Sequence, residues 1–106
     1  MNESEFIQRV DATLSNIEEA LEDCDTDFDW DLASGILTII CPNGSQVIIN
    51  RQTPTRQIWV AAKSGGYHLD YDAEQDQWHQ GDIELYQLLN QALSQQTGDT
   101  IELSAA

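Results

Sequence analysis

From Glu3 to about Asp23 the apolar residues Phe6, Val10, Leu14, Ile17 and Leu21 recur at intervals of three and four. That is the stripe of an amphipathic helix with one buried side. Ser4 is placed to cap its start, and Ile7 widens the stripe. The period then drops to two. In "DTDFDWDL", Asp25 to Leu32, an acid stands at every second position. A strand sends successive side chains to opposite faces, so Thr26, Phe28, Trp30 and Leu32 are expected on one side and Asp25, Asp27, Asp29 and Asp31 on the other.

Hairpins follow. "GILTIIC" and "SQVIIN" flank Pro42, Asn43 and Gly44, and the Asn-Gly pair signals a reversal. "QIWVAA" and "YHLDYD" flank "KSGG" in the same way, with Gly65-Gly66 permitting a tight turn at positive φ. A short strand near Trp78 is expected after the polar turn at Glu74 to Asp76. A second helix is predicted from Asp82 as N-cap to about Thr97, with Gly98 just past its end. Its buried face is marked by Leu85, Tyr86, Leu89, Ala92 and Leu93. In the tail "TIELSAA", Ile101 and Leu103 are expected to fill the groove between the helices.

Short connections give a mostly antiparallel sheet, because parallel neighbours need long crossovers. The expected fold is therefore α+β: a two-layer sandwich with the N- and C-terminal helices on one face of a single sheet. The other face meets solvent. The 106 residues make one domain, 1–106, with a modest core.

Charge narrows the function. With 19 acidic and 4 basic residues the net charge is −15, which argues against nucleic acid and against anionic membrane as partners. Cations and basic proteins are favoured instead. The aliphatic runs are too short to cross a bilayer, and the N-terminus lacks signal- and transit-peptide character, so a cytoplasmic bacterial protein is expected.

The acids also collect where they cost most. Glu18 with Glu22 and Glu19 with Asp23 are like-charged i,i+4 pairs, each destabilising by about 0.2–0.5 kcal/mol. They crowd a helix C-terminus, where the macrodipole favours a cation. Neighbours in the aspartate row stand about 6.8 Å apart, a separation at which like charges repel by about 0.6 kcal/mol in water. Solubility alone does not require this arrangement. Carboxylates are hard oxygen ligands for Mg²⁺, Ca²⁺, Mn²⁺ or iron, but EF-hand spacing is absent. The pattern points to a shallow, low-affinity cation site or a docking surface for a basic protein.

No catalytic machinery is evident. Cys24 and Cys41 form no metal or redox motif by spacing, and His68 and His79 lack companion ligands. A nucleophile–base motif and the Glu-x-x-His ligands of ferritin-like di-iron centres are both missing. An enzyme is not expected.

A second surface is predicted around "INRQTPTRQIWVAAKSGGYHLDYD", Ile49 to Asp72. Pro54 belongs in a turn or edge. If Ile58 and Val60 point inward, Trp59 points outward, beside Asn50, Arg51, Gln52 and Arg56. Exposed Trp and Arg together suggest a protein-interaction hot spot.

This segment closely resembles the signature of the frataxin family in its bacterial form. The matching residues are Asn50-Arg51-Gln52, Pro54, Gln57-Ile58-Trp59, Gly65-Gly66 and Tyr67-His68. The likeness in element order extends over essentially the whole chain. It implies a protein of iron–sulfur cluster assembly that binds Fe²⁺ and Fe³⁺ weakly, with other divalent cations as possible occupants. The implied metal ridge is Glu18, Glu19, Glu22, Asp23, Asp25, Asp27, Asp29 and Asp31. The implied partners are the cysteine desulfurase and the scaffold protein on which clusters are built, met through Asn50, Gln52 and Trp59, with Arg51 and His68 as further candidates. A monomer is expected in the absence of metal. Position 7, a histidine in some bacterial members, is Ile here. Asp11 lies about 18 Å along the helix from Asp23, too far to share an ion with it.

Overall fold

Helix α1 spans Glu3–Asp23 and buries Phe6, Val10, Leu14, Ile17 and Leu21, the predicted stripe. Its cap is Asn2 rather than Ser4. The Asn2 Oδ1 accepts from the Glu5 backbone N–H at 2.8 Å, and the Asn2 Nδ2 donates to Glu5 Oε1 at 3.0 Å. A glutamate three residues after the cap can reciprocate in this way; Ser4 would have Ile7 there. The computed structural model describes residues 1–104.

Seven strands follow: β1 Asp29–Ala33, β2 Ile36–Ile40, β3 Gln46–Gln52, β4 Gln57–Ala62, β5 Gly65–Asp72, β6 Gln77–Gln80 and β7 Ile83–Glu84. They pair in sequence order as one antiparallel sheet. Helix α2, Leu85–Thr97, closes the chain's regular structure. Leu37, Ile39, Val47, Ile49, Ile58, Val60, Leu69 and Trp78 are buried on the sheet face that meets the helices. The two-layer α+β sandwich is as expected.

Three further boundaries differ from those the sequence predicts. The acidic stretch is a strand only from Asp29 onward, because Asp29 pairs with Ile40 at the end of β2. The next residue, Cys41, is already bonded to Ser45 across the hairpin turn at 2.8 Å, so Asp25 to Phe28 have no strand to join. They form a connecting segment, with the Phe28 N–H bonded locally to the Thr26 carbonyl at 2.9 Å. At the second hairpin, Gly65 already pairs with Ala62, so Lys63 and Ser64 make the reversal.

The start of α2 moves from Asp82 to Glu84. Ile83 and Glu84 are still extended because they pair with Gln80 and His79 as β7, too short a strand for a periodic signal. The Glu84 carboxylate then accepts from the Tyr86 and Gln87 N–H groups at 3.0 and 3.4 Å. Gly98 ends the helix in the left-handed region, φ 78°, as predicted.

The tail is held by side chains. Asn90 both donates to and accepts from the Leu103 backbone, at 2.9 and 2.8 Å, and Ser94 bonds the Ile101 backbone. Ile101 and Leu103 are buried. The last two residues of the tail segment, 105 and 106, lie outside the described residues.

Candidate metal ridge and docking face

The eight predicted ridge carboxylates are carried by three consecutive pieces of chain. Glu18, Glu19, Glu22 and Asp23 lie on the last turns of α1, Asp25 and Asp27 in the connecting segment, and Asp29 and Asp31 on β1. All are exposed except Glu18, which is half-buried. Its Oε2 accepts from the Trp30 indole N–H at 3.2 Å. That bond ties the helix end to the edge strand and takes part of one carboxylate's capacity.

Ion pairs among the described residues join Arg9 to Asp76 and Arg51 to Asp11; neither reaches the ridge. Nor do three His, Cys, Asp or Glu side chains among the described residues converge enough to enclose an ion. The donor set fits an exchangeable hard cation held by one or two carboxylates with water completing its shell. It does not fit a caged cofactor. At the foot of the ridge, Glu19, Asp23, half-buried Cys24 and Glu102 line a recess of about 300 Å³ between α1 and the tail. Glu19 also acts on Tyr86, whose pKa is pushed up to about 12, first by burial and then by the charges of Glu84 and Glu19.

The second surface lies on the sheet face away from the helices. Trp59 stands between Asn50 of β3 and His68 of β5 in register. The Trp59 and His68 rings stack, with centroids 4.1 Å apart and planes 13° from parallel. The Trp59 indole N–H donates to Gln57 Oε1 at 2.9 Å, and Gln57 Nε2 donates to Asp70 Oδ1 at 3.1 Å. Gln52 pairs with Gln57 on the same face. Asn50, Gln52, Trp59 and His68 are therefore brought together, with Gln57 as a clamp absent from the sequence reading. Its signal was available, since residues two apart on a strand share a face.

Arg51 and Arg56 do not share this face. Arg51 pairs with buried Ile58, and its guanidinium reaches Asp11 of α1 at 3.3 Å. It also lies against Gly35, where an added Cβ would come within 2.9 Å of it. Arg56 donates to the Thr53 carbonyl and sits 5.9 Å from the Phe6 ring centroid, toward the helices. Strand alternation is the reason: Asn50 and Arg51 are adjacent and must point oppositely.

No helix among the described residues is long and apolar enough to cross a membrane. A family model described as a Frataxin-like domain matches residues 1–99. The chain is 49% identical over 104 residues to a protein of Pseudomonas aeruginosa named iron-sulfur cluster assembly protein CyaY, covering 96% of each. A protein of the same name from Neisseria meningitidis is 41% identical over 107 residues, covering 98% of this chain and 97% of the other. The solved structure of a frataxin from Psychromonas ingrahamii superposes with a TM-score of 0.88 at 35% identity, over 98% of this chain and 99% of that one. Yeast frataxin, at 23% identity and a TM-score of 0.68 over 87% of this chain and 80% of its own, shares the fold. The chain belongs to the frataxin family.

Proposed function

We propose that this protein works in iron–sulfur cluster assembly, the role its relatives' name states, as a non-enzymatic, iron-dependent regulator or iron donor. Its cargo is Fe²⁺ or Fe³⁺, held weakly on the ridge from Glu18 to Asp31. Its partners are the cysteine desulfurase and the cluster scaffold, met through the ridge and through Asn50, Gln52, Trp59 and His68.

The observation that carries this reading is a run of exposed carboxylates without a basic partner among the described residues. Their repulsion is relieved only by something from outside the chain. A basic patch on the desulfurase is attracted to the ridge. Iron arriving at the same carboxylates neutralises or bridges them and so changes the complex.

The test is Glu19→Gln combined with Asp23→Asn. Iron occupancy and desulfurase affinity should both fall, while the melting temperature stays equal or rises because repulsion is removed. A lower melting temperature would mean that these acids are structural.

A second reading is favoured by the absence, among the described residues, of three converging ligands. In it the chain is an acidic docking module that inhibits the desulfurase, and metal binding is incidental. It predicts the same partner affinity and effect with iron removed by a chelator.

A further inference from the structure

The solvent face of the sheet has a low spot. Asp31, Thr38, Ile48, Ala61 and Gly66 stand side by side across β1 to β5. Along that row the outward side chain shrinks from isoleucine to alanine to none. The result is a depression of about 220 Å³ floored by Ala61 and Gly66, with Ile48 on one wall and the stacked Trp59 and His68 on another.

Nothing inside the chain requires glycine at position 66. Its φ lies outside the left-handed region, and a Cβ added there would meet no atom within 4 Å. Gly35 is different on both counts, with φ 76° and the Arg51 side chain against it. Glycine inside a strand loses backbone entropy and cross-strand packing, and a β-branched residue is preferred on a scale spanning about 1 kcal/mol. The pairing of Gly66 with Ala61 is regular, one residue against one, and a strand glycine without a local bulge often marks a place that another group approaches closely.

The surroundings say what kind of group. Ile48, Ala61 and the stacked Trp59 and His68 rings make most of the lining apolar, with Asn50 also in it, and this favours an aliphatic occupant. Asp29 and Asp31 lie outward on β1, Asp70 and Asp72 outward on β5, and no Lys or Arg stands at an outward strand position. Lys63 sits beyond, in the β4–β5 turn. Two copies of a chain carrying −15 would bring these acids face to face, which argues against self-docking.

We infer that the Ala61–Gly66 depression is a socket for one branched aliphatic side chain, Val, Ile or Leu, presented by a basic docking segment of the partner. This rests on the reading of the solvent face as the docking side and adds the residue chemistry it selects. Trp59 lies along the same segment, and Asp29, Asp31 and Asp70 meet its Lys or Arg residues.

The test compares the wild type with Gly66→Ala, Gly66→Val and Trp59→Ala in binding to the desulfurase–scaffold complex by isothermal titration calorimetry, with thermal melts and sedimentation velocity of each free protein. Gly66→Val should melt at or above the wild type and bind at least about tenfold more weakly, a loss of about 1.4 kcal/mol. Gly66→Ala should fall between them, and wild-type binding should weaken with salt. If Gly66→Val binds within about twofold of the wild type while Trp59→Ala does not, the docking face stands and the socket is wrong. If the wild type does not bind, or neither Gly66→Val nor Trp59→Ala alters binding, the docking face itself is wrong and the socket goes with it. A fall in the melting temperature of Gly66→Val would show that the fold needs the glycine, and a wild-type dimer abolished by Gly66→Val would assign the socket to a second copy; either overturns the inference.

Discussion

The ridge and the Trp59 face differ in how far their side chains are fixed before anything binds. Trp59 is bonded to Gln57, stacked on His68 and flanked in register by Asn50. The ridge acids, apart from Glu18, are exposed and spread over a helix end, a connecting segment and an edge strand. A pre-organised aromatic loses little entropy on docking and can discriminate between partners. Free carboxylates supply long-range attraction and exchangeable cation binding but little shape. Under the proposed function, the division of labour is specificity on the sheet and responsiveness on the ridge.

The sharpest way to break that comparison is Trp59→Ala. Affinity for the desulfurase–scaffold complex should fall by about thirtyfold, the scale of a hot-spot aromatic, with the fold intact by circular dichroism. A ridge variant of equal effect on affinity but no effect on iron would reverse the assignment. Next in size is Gln57→Ala, which removes the clamp on Trp59 while leaving its ring in place. A loss of about three- to tenfold in affinity is expected, in keeping with one hydrogen bond of about 0.5–1.5 kcal/mol. The Trp59 indole N–H resonance should move even without partner.

The ridge side is sharpened by salt. Raising ionic strength or adding Ca²⁺ should raise the melting temperature of the free protein, since both reduce ridge repulsion. Glu19→Gln/Asp23→Asn should show a smaller salt response than the wild type. A response of unchanged size would place the repulsion elsewhere.

The smallest effect concerns Tyr86, whose hydroxyl is buried without a hydrogen-bond partner among the described residues. Its folded pKa is pushed up to about 12 from the ordinary value of 10.0, chiefly by burial. The unfolded state therefore ionises first, and stability present below pH 10 should decline as pH rises from 10 toward 12. Tyr86→Phe should flatten the melting profile over that range and leave stability at neutral pH equal or slightly higher. A steep decline retained in Tyr86→Phe would assign the transition to another group.

What was legible in the chain follows the length of its periodic signals. The five apolar residues of the 21-residue α1 repeat from Phe6 to Leu21, which makes the helix and its buried face legible. The two residues of β7 are too few to show a period, so the α2 cap was placed early. "DTDFDWDL" keeps its exposed-inward alternation as far as Trp30, but pairing depends on where β2 ends, and no local pattern reports that. At the docking face, alternation correctly turned Trp59 outward. The same rule, applied to Asn50 and Arg51, separates Arg51 from it. In sequence Gly66 looks like part of a turn, and its register opposite Ala61 shows it as a gap in a surface.

The central claim is that the ridge carboxylates hold iron as exchangeable cargo while coupled to a basic partner. It is tested most directly by anaerobic Fe²⁺ titration followed by ¹H–¹⁵N NMR, alone and then with the desulfurase. Broadening confined to Glu18–Asp31, together with an iron-dependent change in the spectrum of the complex, is the predicted result. A ridge that is silent to iron and still shifts with the desulfurase would contradict it and leave the carboxylates a docking surface alone.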